Sequence, residues 1–355
     1  MSRPLKAIIN TSAISHNLEV MRKRQPGRRM VAVLKADGYG HGLGTVARAA
    51  HEADAFAVSS VEEALALRAV EEYKPVFLLE GFFEEAELPL LERFDLWPVV
   101  HSFEQLEWLA AFGSELTIWL KVDTGMNRLG FRTAEAAHVI EEIKASMPHI
   151  TLRGIVSHLH SADDPGTPRT RWQYKEFTDL PITDIERSVS NSAGIFAAPT
   201  IPDEWLRSGV ALYGASPLAG YSAAELGLRA AMTLETELIS VRACVRGDTV
   251  GYGAMWECPE DMPVGVVAAG YGDGYPRHAP AGTRVLVRDT YVPVIGRICM
   301  DMFMVDLRAC PDAKAGDRVV LWGEDLPVEE IATSSGSIAH ELLCGLTPRV
   351  PRLLA

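Results

Sequence analysis

The sequence predicts an α/β chain in which an N-terminal (β/α)8 TIM-type barrel precedes a smaller, mainly antiparallel β domain. Three observations predict it. Up to about residue 230, eight short apolar runs alternate with longer helical patterns. Polar and ionisable residues gather at the ends of those runs. After about residue 230 the helical patterns stop, and short β-rich runs separated by glycine and proline turns take over. The expected division is residues 1–232 for the barrel and 233–355 for the β domain, the first few residues being candidates for packing on the β domain.

The barrel strands are expected at Val31–Lys35, Ala55–Ser59, Pro75–Glu80, Trp97–His101, Thr117–Asp123, Gly154–His160, Arg187–Ser192 and Trp205–Tyr213. Amphipathic stretches such as Val61–Arg68 and Ala134–Lys144 supply helices between them. A doubly wound open sheet is the competing architecture. No GxGxxG follows any of the runs, which weakens its dinucleotide-binding form. The later strands are expected at Leu234–Val241, Val264–Ala269, Arg284–Val287, Val292–Ile295, Met302–Asp306 and Arg318–Leu321.

Composition narrows the function classes. The chain of 355 residues is 48% hydrophobic and 23% charged, ordinary for a folded protein and long for one core. No apolar run reaches the roughly 18 residues that span a bilayer. Met1–Asn10 lacks the apolar core of a signal peptide. A net charge of −13 opposes binding along a nucleic-acid backbone. Five cysteines (Cys244, Cys258, Cys299, Cys310, Cys344) form no CxxC pair. They read as reduced thiols in a cytoplasmic protein, not as a disulfide framework or a zinc knuckle.

The run Val31–Leu34 opens into Lys35-Ala36-Asp37-Gly38-Tyr39-Gly40-His41-Gly42, where alternate glycines force a loop. Strand alternation puts Lys35 on the face of Val31 and Val33. A partly desolvated amine at such a strand end can form a Schiff base, and glycine amides beside it can approach a phosphate. For one isolated lysine, a salt-bridged strand end is the commoner outcome. Glu80, His101, Lys121 with Asp123, His158 with His160, Asn191 with Ser192, and Arg207 also fall at strand ends, the rim that carries chemistry in barrel enzymes. Barrel phosphate sites tend to follow strands seven and eight. Those positions read Ser190-Asn191-Ser192-Ala193-Gly194 and Arg207-Ser208-Gly209-Val210.

The β domain adds Val250-Gly251-Tyr252-Gly253-Ala254, Gly270-Tyr271-Gly272-Asp273-Gly274-Tyr275-Pro276-Arg277 and Gly296-Arg297-Ile298-Cys299-Met300-Asp301. Together with the lysine motif, these segments make the chain resemble the alanine racemase family, pyridoxal-phosphate enzymes that interconvert L- and D-alanine. The resemblance runs along essentially the whole chain, in the same order and with the same two-domain plan.

The resemblance implies pyridoxal 5'-phosphate as cofactor, carried covalently by Lys35. Tyr39 then contacts its phosphate, and Asn191, Ser192 and the amides of Gly209 and Val210 belong to the cofactor-binding set. His158 lies against the pyridine ring, and Arg207 faces the pyridine nitrogen. Arginine keeps its proton, so it donates and leaves that nitrogen unprotonated. The ring becomes a weaker electron sink, which favours racemisation over aminotransfer. Lys35 serves one face of the α-carbon, and Tyr252 serves the other from the second subunit of a homodimer with shared sites. Arg128 and the Met300 backbone are implied to hold the substrate carboxylate, with Lys121, Tyr271 and Asp301 in support.

Lys121 has two open readings: a carbamylated lysine that orients Arg128, as in many relatives, or a plain ion pair with Asp123 or another carboxylate. Alternation with Trp119 points it into the barrel. One departure stands out. Relatives carry a tyrosine near the C-terminus that touches the phosphate and narrows the mouth; this chain has none after Tyr291, and the matching segment is Leu346–Arg352. A lost phosphate contact, a wider gate and a larger role for Tyr271 are expected. The implied product is D-alanine as a peptidoglycan precursor, with alanine catabolism as the other setting; neither membrane nor nucleic-acid partners nor a metal are expected. Rival readings are a racemase of broader specificity, a basic-amino-acid decarboxylase, and a metal-dependent barrel hydrolase using His158 and His160 on one strand face. The hydrolase leaves Lys35 and its glycine loop without a role.

Overall fold

The computed structural model describes residues 3–197 and 203–355. Strands Arg29–Val33, Ala55–Val58, Val76–Leu78, Leu96–Val100, Leu116–Asp123, Ile150–Val156, Glu186–Ser188 and Trp205–Ser208 pair in parallel in chain order, and the last pairs back onto the first. Glu204 N to Arg187 O (3.1 Å) and Arg207 N to Ser190 O (3.1 Å) join the remaining seam and close the barrel. All eight expected barrel strands are present. Except for Leu116–Asp123, each expected run continues past the end of its strand. The apolar character persists into the loop, whereas the ladder stops where the chain turns. Lys35, Glu80, His101, His158 and Asn191 therefore stand just beyond the strands. The expectation that His158 and His160 share a strand face is corrected on the same ground, since their strand ends at Val156.

Aromatic side chains fill the barrel. Phe77 meets Trp97, Trp119 and Trp205 at ring-centroid distances of 5.5, 5.1 and 5.7 Å. Gly154 makes room for this layer: a Cβ there would stand 2.5 Å from the Trp119 ring. Below the rings, Glu186 accepts from Arg153 (2.7 Å) and from the Trp205 indole (2.7 Å), and it also pairs with Arg29. Trp119 points inward, so Lys121, two residues on, does too.

The surrounding helices start on ordinary caps. Asn10 accepts from Ala13 N (3.1 Å) at the head of Thr11–Arg24, which buries Ile14, Leu18 and Met21 against the barrel. Ser60 and Ser102 cap Val61–Arg68 and Phe103–Phe112 in the same way. No helix of the described residues is long and apolar enough to cross a membrane.

The second sheet has eight strands and is mainly antiparallel. All six expected runs are found, the longest strand being Met232–Cys244, with Met262–Val267 beside it and Phe303–Asp306 next to that strand in turn. Two further strands belong to it, Lys6–Ile9 and Arg352–Leu354, which pair in parallel. Both are short and their patterns are too brief to mark them. They anchor the first strand and the chain's end in one sheet, and bring the last turns of the chain back to the barrel mouth.

Candidate active site

The lysine loop has an unusual backbone. Ala36, Asp37, Gly38 and Tyr39 follow one another in the left-handed region, at φ of 54°, 53°, 61° and 51°. Each residue other than glycine costs about 1–2 kcal/mol there, so the surroundings must hold the turn. Gly38 N donates to Leu34 O (2.7 Å), Ala36 N to Glu63 Oε1 (2.7 Å), and Leu43 N to Asp37 Oδ1 (2.7 Å). The buried Tyr213 hydroxyl donates to Val33 O (2.8 Å) at the end of the strand. Gly40 is required at its position: a Cβ would lie 2.2 Å from Leu343 O, so only glycine lets the helix Ala339–Cys344 rest on the loop.

Next to this loop lies a pocket built for an anion. Ser192 Oγ accepts from Gly209 N (2.9 Å) and Ala211 N (3.3 Å). The point a Gly209 Cβ would occupy is 2.8 Å from the Tyr39 hydroxyl and 3.8 Å from Ser192 Oγ. Tyr39, Ser192 and Gly209 thus converge, with Val210 following. Burial pushes the Tyr39 phenol well above its usual range, so it remains a donor. Asn191 stands beside them, tied to the rim: its Oδ1 accepts from Gly194 N (3.0 Å), its Nδ2 donates to Leu159 O (3.1 Å), and its amide lies 3.4 Å from His158.

The rim beside the pocket is crowded with cations. Arg207 is buried, and its Nη1 donates to Ser188 O (3.0 Å) and Oγ (2.6 Å), while Nη2 donates to Ser157 O (2.6 Å) and His158 Nδ1 (3.3 Å). Its Nε donates to nothing among the described residues. Burial brings Arg207 down to about 10 against the opposing pull of Asp203, which leaves it charged at neutral pH. His158 is held well below its usual value by burial and by Arg207, Lys121, Arg128 and Lys35, so it is neutral and can accept from Arg207. Burial, then Arg207 and Arg128, bring Lys121 down to about 7.

Asp123 acts on Lys121 only at a distance, opposing the drop without forming an ion pair. Its Oδ1 accepts from Gly125 N (2.8 Å) and Asn127 N (3.1 Å), and no carboxylate among the described residues forms an ion pair with Lys121. The plain ion-pair reading of Lys121 thus has no ion-paired carboxylate among the described residues, only the more distant charge of Asp123. Arg128 stands exposed at the mouth, within electrostatic reach of Lys121 and His158. His160 bonds to Ser161 Oγ (2.6 Å), away from this group. Among the described residues no three of His, Cys, Asp and Glu surround one point.

The remaining expected residues lie elsewhere. Tyr252 sits in a short turn, Tyr252–Ala254, and is 72% exposed. Tyr271 and Met300 are also exposed, and Asp301 pairs with Arg349 (2.7 Å). Met300 O is occupied by Gly272 N (2.9 Å). No hydrogen bond, ion pair or ring contact among the described residues joins Tyr252, Tyr271, Met300 or Asp301 directly to Lys35.

Residues not expected from the sequence complete the loop's surroundings. Tyr213 stacks on Tyr39 at 4.6 Å and 21°, and His340 packs on Tyr39 at 5.8 Å and 46°. Cys344, one helical turn after His340, lies within electrostatic reach of Tyr39 and Lys35, and burial raises its thiol, which stays neutral. Their i, i+4 spacing signals a shared helix face, but not which surface it meets. The segment Leu346–Arg352 does lie against the glycine loop, since Arg352 Nε donates to Gly40 O (3.1 Å).

These residues fit pyridoxal phosphate. The Tyr39–Ser192–Gly209 pocket suits a phosphate, Lys35 offers an amine, and Arg207 keeps one donor for a ring nitrogen. The surplus of cations calls for an anionic occupant.

The N-terminal domain model of alanine racemase matches residues 9–217, and the C-terminal domain model matches residues 231–354. The alanine racemase of Nitrosococcus oceani is 46% identical over 351 residues, covering 98% of this chain and 99% of that protein. The alanine racemase of Aeromonas hydrophila is 47% identical over 347 residues, covering 97% of each. Among solved structures, the biosynthetic alanine racemase of Pseudomonas aeruginosa superposes with a TM-score of 0.95 at 43% identity, over 99% of both chains. That of Bartonella henselae, with covalently bound pyridoxal phosphate, gives 0.91 at 27% identity, also over 99% of both. With both domain models matched in order and near-full-length relatives well above 40% identity, this chain belongs to the alanine racemase family.

Proposed function

We propose that this protein interconverts L- and D-alanine with pyridoxal 5'-phosphate, in a homodimer that shares its active sites. The observation that carries the reading is the pairing of Lys35 with a buried Arg207 that holds one unspent donor. When bound, pyridoxal phosphate supplies the electron sink that acidifies the α-proton of an amino acid. Lys35 attaches it, and Tyr39, Asn191, Ser192, Gly209 and Val210 form its cofactor-binding set with His158. Arg207, unable to give up its proton, keeps the ring nitrogen unprotonated and so limits transamination.

Two bases on opposite faces are needed to remove one α-proton and deliver another. Lys35 is the first. Tyr252 is the second, reaching the site from the partner subunit; its exposure and its lack of contact with its own Lys35 support that assignment. Arg128 and the Met300 backbone hold the substrate carboxylate, with Tyr271 gating and Asp301 in support. Lys121 is carbamylated: lowered to about 7, its amine is partly neutral near pH 7 and adds to carbon dioxide, forming an N–C bond and releasing a proton, and the resulting anion orients Arg128. Residues 1–232 form the cofactor-binding barrel, except that the strand Lys6–Ile9 joins the sheet of the β domain, which spans 233–355. A cytoplasmic enzyme that supplies D-alanine for peptidoglycan accords with five free cysteines.

Incubation with pure L-alanine in deuterated water tests the reading. D-alanine bearing deuterium at the α-carbon is the expected product. Loss of the carboxylate, or an α-keto acid as main product, contradicts it.

A further inference from the structure

Four rings run in series beneath the barrel mouth. His41 meets Tyr213 at 4.7 Å, Tyr213 stacks on Tyr39 at 4.6 Å, and Tyr39 meets His340 at 5.8 Å. The first three lie within the barrel half of the chain, and two of them are anchored by their own hydrogen bonds. Tyr213 donates to Val33 O (2.8 Å), and His41 Nδ1 is 2.8 Å from Tyr39 O. His340 alone comes from the C-terminal helix Ala339–Cys344, and it is the second ring, after Tyr213, that packs on Tyr39.

Tyr39 needs such a clamp. It lies in a left-handed turn, and its hydroxyl is aimed at the pocket over Gly209. A hydrogen bond to a phosphate depends steeply on donor direction, so the ring must not swing. We propose that His340 is a positioning residue for the cofactor phosphate, acting through Tyr39: it pins the phenol ring against Tyr213 so that the hydroxyl points into the pocket. This rests on pyridoxal phosphate being the cofactor. Although His340 is exposed at the surface, the packing around its ring and then the charge of Lys35 hold it below its usual value, so the ring acts through packing and not through charge. In a chain without the C-terminal tyrosine of its relatives, the helix Ala339–Cys344 thereby still contributes to phosphate binding.

The test is titration of the full chain, stripped of cofactor, with pyridoxal phosphate and with pyridoxal. His340→Ala is expected to weaken pyridoxal phosphate about tenfold and pyridoxal less than about twofold, since only the phosphate contact is misaligned. His340→Phe, which keeps a ring, should stay within about twofold of the parent. In a Tyr39→Phe background, His340→Ala should add less than about twofold, because the hydroxyl it aims is gone. Unchanged affinity in His340→Ala overturns the proposal, as does equal weakening of both ligands or a full effect in the Tyr39→Phe background. A parent protein that takes up no pyridoxal phosphate overturns the functional reading itself, a separate result.

Discussion

The hydroxyl of Tyr39 stands 2.8 Å from the point where a Cβ on residue 209 would sit, so Gly209 keeps open a space that any side chain would close. The φ of Gly209 is −101°, outside the left-handed region, so the requirement is steric. Gly209→Ala should weaken pyridoxal phosphate by about 100-fold, a loss of the order expected when a charged hydrogen-bonding site is blocked. Pyridoxal binding should change much less. Equilibrium dialysis of both ligands measures the difference.

Arg207 is tied to Ser157, Ser188 and His158 through its terminal nitrogens, and its Nε donates to none of the described residues, which is the donor the proposed function gives to the cofactor ring. Arg207→Glu puts a protonatable acid where a permanent cation stood. Racemisation should fall by at least about 10²-fold, and pyridoxamine phosphate should accumulate during turnover with alanine. Chromatography of the released cofactor checks this. A variant that slows without making the amine form refutes the role given to the unprotonated nitrogen.

Lys121 dictates a stability profile. Its folded value is about 7 and its reference value 10.5. Between these values the unfolded chain binds the extra proton, so stability of the unmodified apoprotein rises with pH across that window; below about 7 both states are protonated and the full penalty applies. In carbonate-free buffer, Lys121→Met should therefore raise stability by up to about 5 kcal/mol near pH 6, an advantage that fades toward pH 10. Added bicarbonate should stabilise the parent and leave the variant unmoved. Denaturant titrations across that range measure both.

The eight barrel strands could be read because each is a compact apolar run, and the rim because polar groups punctuate the run ends. The ends themselves could not. Trp205–Ser208 stops at Gly209, where the chain turns toward the pocket, although apolar residues continue to Tyr213. Gly38 and Gly40 advertise a turn, but the left-handed Ala36 and Asp37 are imposed by Glu63 and by the Leu43 amide, contacts that no local pattern encodes. The meeting of His340 with Tyr39 was equally hidden. It exists only because Lys6–Ile9 and Arg352–Leu354 fold the end of the chain back onto the barrel.

Tyr252 and Lys35 are assigned to opposite faces of the substrate. Tyr252→Phe should lower turnover by about 10²–10⁴-fold. It should also split the enantiomers: one should still exchange its α-proton with solvent through Lys35 without inverting, while exchange of the other collapses. Nuclear magnetic resonance of each enantiomer in deuterated water follows this. Equal slowing of both exchanges contradicts the two-base assignment.

The most direct measurement is borohydride reduction of the cofactor-loaded protein, followed by peptide mapping. The account predicts that the visible absorption band disappears and that a pyridoxyl group is recovered on Lys35 alone. A label on another lysine, Lys121 included, or a protein that stays colourless after addition of pyridoxal phosphate, would contradict it.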